Sequence, residues 1–282
     1  MKLKTVQKFI QSDLQLQLGC YGILILLAVV VLSPMLVKHD PYYFGPHYLS
    51  GLGENGHFLG GNQLGQDILS MVLYGARTSL IVATVSAVIS GLLGILIGGF
   101  AGFCGGWIDR IISEIINGFM MIPGFFLILL MVTLFGNSLF NVILVIGLST
   151  WPGNAKLMRS QVLSLKERTF IIGARAIGEN GFQILFRYIL PNGMMPVIAN
   201  TTLVMSNAIL FEASLGFLGL GNPSVISWGQ MIFAGKSYIN TAWWISVFPG
   251  LAIVLTVTIL YLLGDGLNHA FNPKYINRKR GR

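Results

Sequence analysis

Charge is scarce in this chain. Of its 282 residues only 10% are Asp, Glu, Lys or Arg, 54% are hydrophobic, and the mean hydropathy is +0.73. A water-exposed surface of that size needs many more polar side chains, so a soluble globular protein is excluded and a bilayer is the natural solvent. Cysteine is rarer still. Cys20 and Cys104 have no partner at metal-type spacing, and we assign them no chemistry. No low-complexity run or charge-poor spacer divides the chain, which leaves no place for a second soluble domain or an attached nucleotide hydrolase. Gly235-Lys-Ser237 looks like the end of a phosphate-binding loop, but Gln230 stands where the loop needs its first glycine. Ser149 and His269 make no hydrolase, because one falls in the middle of an apolar stretch and the other beyond the end of a different one. His39, His47 and His57 match no compact ligand pattern and read as solvated loop residues.

What the sequence does contain is long apolar runs. Stretches near the roughly 20 residues that cross a bilayer occur at 18–36, 79–103, 115–135, 142–158, 194–220 and 243–263. The expected fold is therefore an all-α integral membrane protein with six transmembrane helices in a single domain, 1–282. The first run follows Lys2, Lys4 and Lys8, as a signal peptide would, but it is too long and lacks a small-x-small cleavage pattern, so it is expected to be retained.

Basic residues set the orientation. With a cytosolic N-terminus, fifteen of the eighteen lie inside and only Lys38, Arg77 and Lys236 lie outside. Both termini are thus expected in the cytosol of a multi-pass inner-membrane protein. The segments follow: a cytosolic N-tail (1–17), an external loop (38–77), a cytosolic loop (159–191), an external loop (221–242) and a cytosolic C-tail (270–282). The net charge of +8 is topological, and the basic tail suits anionic headgroups rather than nucleic acid.

The loop at 159–191 is the longest polar stretch on the inside. Residues 165–177 have helix-forming composition, with Phe170, Ala174 and Ile177 on one face. Gly178 to Gly181 make a turn, and Phe182, Leu185, Phe186 and Ile189 resume helical spacing up to Pro191. Periodicity alone leaves open whether this hairpin floats among headgroups or receives another protein. The small residues Gly173, Ala174, Ala176 and Gly178, amid basic ones, leave room for a partner's backbone.

These residues carry a resemblance. Phe170-Ile-Ile-Gly-Ala-Arg-Ala-Ile-Gly178, followed by Tyr188-Ile-Leu-Pro191, resembles the EAA loop of binding-protein-dependent ABC permeases. The resemblance implies that Gly173, Ala174, Arg175, Gly178, Leu190 and Pro191 couple the chain to a cytosolic ATPase. Ile172 stands in place of the motif's glutamate and Gly173 in place of its first alanine. The segments Leu59–Ser70, Tyr74–Leu80, Phe211–Gly221 and Ser227–Gly229 are similar to signatures of the dipeptide, oligopeptide and nickel branch, in its second pore subunit. Gln66 replaces a usual arginine, and Pro223 stands alone where a proline pair is common. The resemblance covers Leu18 to Pro273. It implies a homologous second permease subunit, two cytosolic ABC ATPases and an extracytoplasmic solute-binding protein as partners. It also implies no cofactor on this chain, since ATP and magnesium are used by the ATPases. The implied substrate is a peptide, with nickel or a metal chelate as the alternative. An ion-coupled secondary transporter, to which Pro123, Pro152 and Pro249 would be suited, lacks its paired intramembrane carboxylates.

Two further features leave alternatives open. Gly94, Gly98, Gly102 and Gly106 form a four-residue repeat, which suits either a seam between pore subunits or packing within this chain. Glu212 lies within the fifth apolar stretch, where an unpaired carboxylate costs about 2 to 3 kcal/mol. It either lines the cavity and attracts a cation or accepts hydrogen bonds from neighbouring helices.

Overall fold

The structure is a computed structural model and describes residues 14–37 and 39–271. Expectations for residues 1–13 of the N-tail, for Lys38 and for residues 272–282 of the C-tail lie outside the described residues. Nine helices account for most of what is described: α1 (Leu14–Leu36), α2 (Ile68–Cys104), α3 (Gly106–Met121), α4 (Gly124–Phe135), α5 (Leu139–Lys166), α6 (Thr169–Ala176), α7 (Gly181–Phe217), α8 (Trp228–Gly235) and α9 (Trp244–Phe271). The described residues contain no β-strand, only one isolated bridge between Gly61 and Asp67.

Local chemistry fixes the helix ends. The Asp67 carboxylate accepts from the Ser70 backbone N–H at 2.8 Å and from its hydroxyl at 2.6 Å, capping α2 where its free N–H groups need acceptors. The helix therefore begins at Ile68, within the segment 38–77 expected as an external loop. Gly105, at φ +67°, ends α2. Pro123 forces Ile122 out of the helical region, and α3 and α4 meet at an 86° bend. What reads in the sequence as a single span at 115–135 is thus a broken pair.

Length and composition qualify α1, α2, α7 and α9 to cross a membrane, and the bent α3–α4 pair would be a fifth span. Helix α5 is about 42 Å long, but Asn154, Lys156 and Arg159 interrupt its apolar run. Four or five spans are therefore evident by this measure.

The most extensive contact is between α2 and α5. A Cβ on Gly94 would stand 2.9 Å from the Asn154 carbonyl carbon, one on Gly98 would stand 2.8 Å from that of Ala155, and one on Gly102 would lie 2.9 Å from the Arg159 oxygen. The two backbones touch, so α5 of this same chain fills the glycine face. This corrects a subunit seam through Gly94, Gly98 and Gly102. Gly106 leaves the repeat altogether, since the break at Gly105 places it at the start of α3 with open space around it. Helices α1 and α9 approach just as closely, with Gly266 set against the Leu16 backbone.

Two cores result. The larger gathers Ile128, Ile146, Ile209, Leu215, Trp228 and Ile245 around α2, toward the end of the bundle that carries the 39–67 loop. A smaller one joins Met158, Val162, Ile171, Ala174, Ile184, Leu185, Ile189, Leu190 and Val197 at the opposite end, beneath the α6–α7 hairpin.

Candidate functional site

The hairpin is built by three breaks in helical order. Lys166 ends α5, and its ammonium donates to the Gly102 and Phe103 carbonyls at 3.3 and 2.8 Å, satisfying groups at the end of α2. Thr169–Ala176 is then a separate short helix, so the expected single helix over 165–177 is divided at Glu167 and Arg168. Gly178 follows at φ +89°. Its N–H reaches the Arg175 carbonyl at 3.1 Å, and the Glu179 N–H reaches that of Ala174 at 3.1 Å, the paired bonds of a Schellman ending that need a left-handed residue. Asn180 and Gln183 cap α7 reciprocally.

The stop expected at Pro191 does not occur. Residues Ile184–Ile189 form a π-helical turn, and the chain runs on from Leu190 as α-helix. Proline has no N–H and its ring crowds the preceding turn, so a wide turn immediately before it lets the helix pass through.

One face of the hairpin is anchored. Ile171, Ala174, Ile184, Leu185, Ile189 and Leu190 are buried with Met158 and Val162 of α5. At about 1.5 to 3 kcal/mol for each large apolar side chain, that burial ties the hairpin firmly to the helices above it. The Tyr188 hydroxyl donates to Glu179 at 3.1 Å, and Arg187 lies 4.0 Å from the same carboxylate, which closes the turn.

The other face is bare. Ile177 is 78% exposed and Phe182 71%, and Phe170, Ile172 and Phe186 are also exposed. Phe170 and Ile177 thus point away from Ala174, against the single face read from their spacing. The true buried pair is Ile171 and Ala174. Gly173 and Gly178 have nothing within 4 Å of where a side chain would begin, and Arg168 and Arg175 are exposed beside them. Pro191 is exposed, whereas Leu190 belongs to the core.

At the opposite end the elements pack on one another more closely, although Phe217 and Leu218 remain exposed. Helix α7 also ends on a glycine in the left-handed region, Gly219 at φ +79°, with Leu220 N–H on the Leu215 carbonyl at 2.9 Å. Here the glycine lies against the Phe233 ring. Gly229 brings α8 onto α7, since a Cβ there would stand 2.7 Å from the Ala213 Cα. Trp228 is 2% exposed, and its indole N–H donates to the Val72 carbonyl of α2 at 3.0 Å.

Glu212 is buried between these elements. The Ser79 hydroxyl of α2 donates to its carboxylate at 3.4 Å. A small pocket at Glu212 is also lined by Asn137, Leu139, Val142, Leu215, Gly221 and Asn222. Asn137 donates to the Gly221 carbonyl at 3.0 Å and holds the α4–α5 turn to this end.

The loop over residues 39–67 is folded rather than loose. Asn62 and Gln66 exchange hydrogen bonds, and Gln66 donates to the Pro41 carbonyl at 2.9 Å. His57 is buried with Nδ1 3.1 Å from Asp67 and its ring 5.3 Å from that of His39, so the reading of a solvated histidine fails there. Among the described residues, no group of three His, Cys, Asp or Glu side chains is placed to hold a metal ion. Tyr42, Tyr43, Phe44 and Tyr48 are exposed on this loop.

Comparison with known proteins supplies the family. Residues 94–277 match the binding-protein-dependent transport system inner membrane component. The chain belongs to that family. It is a permease subunit of a transport system, a multi-pass inner-membrane protein. The glutathione transport system permease protein GsiD of Pectobacterium atrosepticum is 35% identical over 270 residues, covering 95% of this chain and 89% of that relative. The di/tripeptide transport system permease protein DppC of Pseudomonas aeruginosa is 35% identical over 267 residues, covering 91% of this chain and 88% of that one. An inward-facing structure of the MetNI methionine ABC transporter shares the fold with a TM-score of 0.57 and 21% identity, over 73% of this chain and 98% of that one.

Sequence reasoning did not single out Asn154 and Asn200, although a carboxamide inside an apolar run is itself the signal.

Proposed function

We propose that this chain forms half of the pore of an ATP-driven importer, translocating peptides delivered by an extracytoplasmic binding protein. The relatives named for peptide and glutathione transport support that substrate class. Six spans with both termini cytosolic give the arrangement, with α5 completing the count: Asn154 turns to α2 and Arg159 to α3, the latter through the Arg159–Asp109 ion pair whose second bond is 2.7 Å, while Lys156 is exposed. The α6–α7 hairpin then lies in the cytosol, and the 39–67 loop and α8 lie outside.

The observation that carries the mechanism is the two-faced hairpin. One face is fixed to α5 and α7, and the other presents unpartnered apolar side chains rimmed by arginines. A cleft on an ATPase subunit fits that face, and closure of paired ATPases pulls on α5 and α7 together. Gly173, Ala174, Arg175, Gly178, Leu190 and Pro191 belong to this coupling element, Leu190 and Ala174 from beneath and the others at the surface. A homologous subunit completes the pore, and access alternates between the two sides.

The test is reconstitution of the complex in vesicles with the binding protein and a panel of di- and oligopeptides, nickel and metal chelates. Peptide uptake with binding-protein-stimulated ATP hydrolysis is expected. Uptake of metal alone overturns the substrate, and uptake without ATP overturns the mechanism.

A further inference from the structure

Asn154 lies near the middle of α5 and is fully buried. Its side-chain nitrogen donates to the Ser90 hydroxyl of α2 at 3.1 Å, and its oxygen accepts from Asn200, near the middle of α7, at 2.8 Å. Three helices are therefore joined by one chain of side-chain hydrogen bonds in surroundings where water does not compete. Gly91 and Gly94 flank the site and draw α2 close, Gly91 against Thr201 of α7 and Gly94 against Asn154 itself.

Prolines stand at the same height. Pro152 is inside α5 and Pro196 inside α7, each within a turn or so of its asparagine. A proline in a helix interior removes one backbone hydrogen bond, so both helices are softest where the asparagines join them. The hairpin core, with Met158, Val162 and Val197, lies to one side of this level, and Glu212 with Ser79 lies to the other.

We propose that Asn154 is a positioning residue for transport: through Ser90 and Asn200 it makes α2, α5 and α7 move as one body, so that displacement at the hairpin reaches the Glu212 end instead of being absorbed at Pro152 and Pro196. The inference rests on the transport reading given above. Without the latch, the hairpin still docks and ATP is still hydrolysed, but each cycle moves substrate less often.

The experiment uses the reconstituted complex with Asn154→Leu, Asn200→Ala and the double variant. ATP consumed per peptide imported is expected to rise about threefold to tenfold in each single variant. The double variant should be no worse than the more severe single one, because all three remove the same link. Asn200 is only half-buried, so Asn200→Ala decides if Asn154→Leu fails to assemble. An unchanged ratio in Asn200→Ala, or single effects that multiply in the double variant, overturns the latch. Hydrogen exchange on the purified complex supplies a readout independent of substrate. Faster exchange over residues 197–204 with unchanged exchange over 184–189 supports the latch, and unchanged exchange over 197–204 overturns it. Should the wild-type complex import no peptide, the transport reading fails while the exchange result still decides this one.

Discussion

Gly178 and Gly219 end their helices with the same pair of backbone hydrogen bonds, yet one looks into open space and the other onto the ring of Phe233. The device is the same and the surroundings are opposite. Around Gly219 the chain has packed its own elements together, although Phe217 and Leu218 stay exposed: Gly229 touches Ala213, Trp228 bonds to Val72, and Glu212 receives Ser79. Around Gly178 it has not, and Phe182, Ile177 and Ile172 remain uncovered. The coupling role proposed above needs both: a face fixed internally and a face left for another protein.

The comparison can be broken most severely at the closed end. Gly229→Val drives a branched side chain into the Ala213 backbone, an overpacking that costs about 3 kcal/mol. The yield of assembled complex in detergent should collapse, and a wild-type yield would mean that α8 is not held to α7 as described.

At the open end the expected loss is of function alone. In Gly178→Asp the left-handed backbone adds about 1 to 2 kcal/mol of strain confined to an exposed turn, and a charge enters the docking face. Assembly should persist while ATP-dependent uptake falls by roughly an order of magnitude. Normal uptake would remove the coupling role from the hairpin.

A smaller effect is expected on the 39–67 loop. Replacing Tyr42, Tyr43 and Phe44 with serine removes exposed aromatic surface from a folded base, and stimulation of ATPase activity by the loaded binding protein should drop about twofold to fivefold. Unchanged stimulation would make the loop a plain cover.

The smallest effect belongs to Glu212→Gln, which keeps the size of the side chain and an oxygen for Ser79. Uptake of cationic and neutral peptides should stay within about twofold of wild type and change equally, because the hydrogen bond is kept and only weakened, by a part of the roughly 0.6 kcal/mol that such bonds average in membranes. Selective loss of cationic peptides would instead place the carboxylate on the substrate's path.

Much of the molecule was legible in the sequence, to a depth set by how local each cause is. Apolar runs marked the four helices long and apolar enough to cross a membrane, because apolar composition is written residue by residue, but they did not show the break at Pro123, and Gly178 marked the turn. The four-residue glycine repeat announced a face but not its occupant, since the backbone of Asn154 and Ala155 lies more than fifty positions away. His57 read as solvated because its loop is polar, and only the fold brings Asp67 to it. Pro191 read as a stop because proline ends a regular helix, and the sequence does not advertise a wide turn before it. In the α6–α7 hairpin Gly173 and Gly178 stand in open space as read, while Ala174 is packed and the shared face of Phe170 and Ala174 fails, because the buried stripe of so short a helix is set by the core beneath it.

That wide turn also bears on how the chain can change through descent. A π-helical turn holds one more residue than an α-turn, so losing one residue between Ile184 and Ile189 could be taken up by tightening the turn, with the rest of the helix keeping its phase. The same deletion a few residues later would rotate every following side chain by about 100° and turn Asn200 and Glu212 away from their partners. Pro191 guards the first route, because a tightened turn would set its ring against the carbonyl four residues earlier. Length variation in this family should therefore gather in the loops, and reach the wide turn only where Pro191 is also replaced, while the count of residues from Pro191 to Glu212 should be among the least negotiable in the chain.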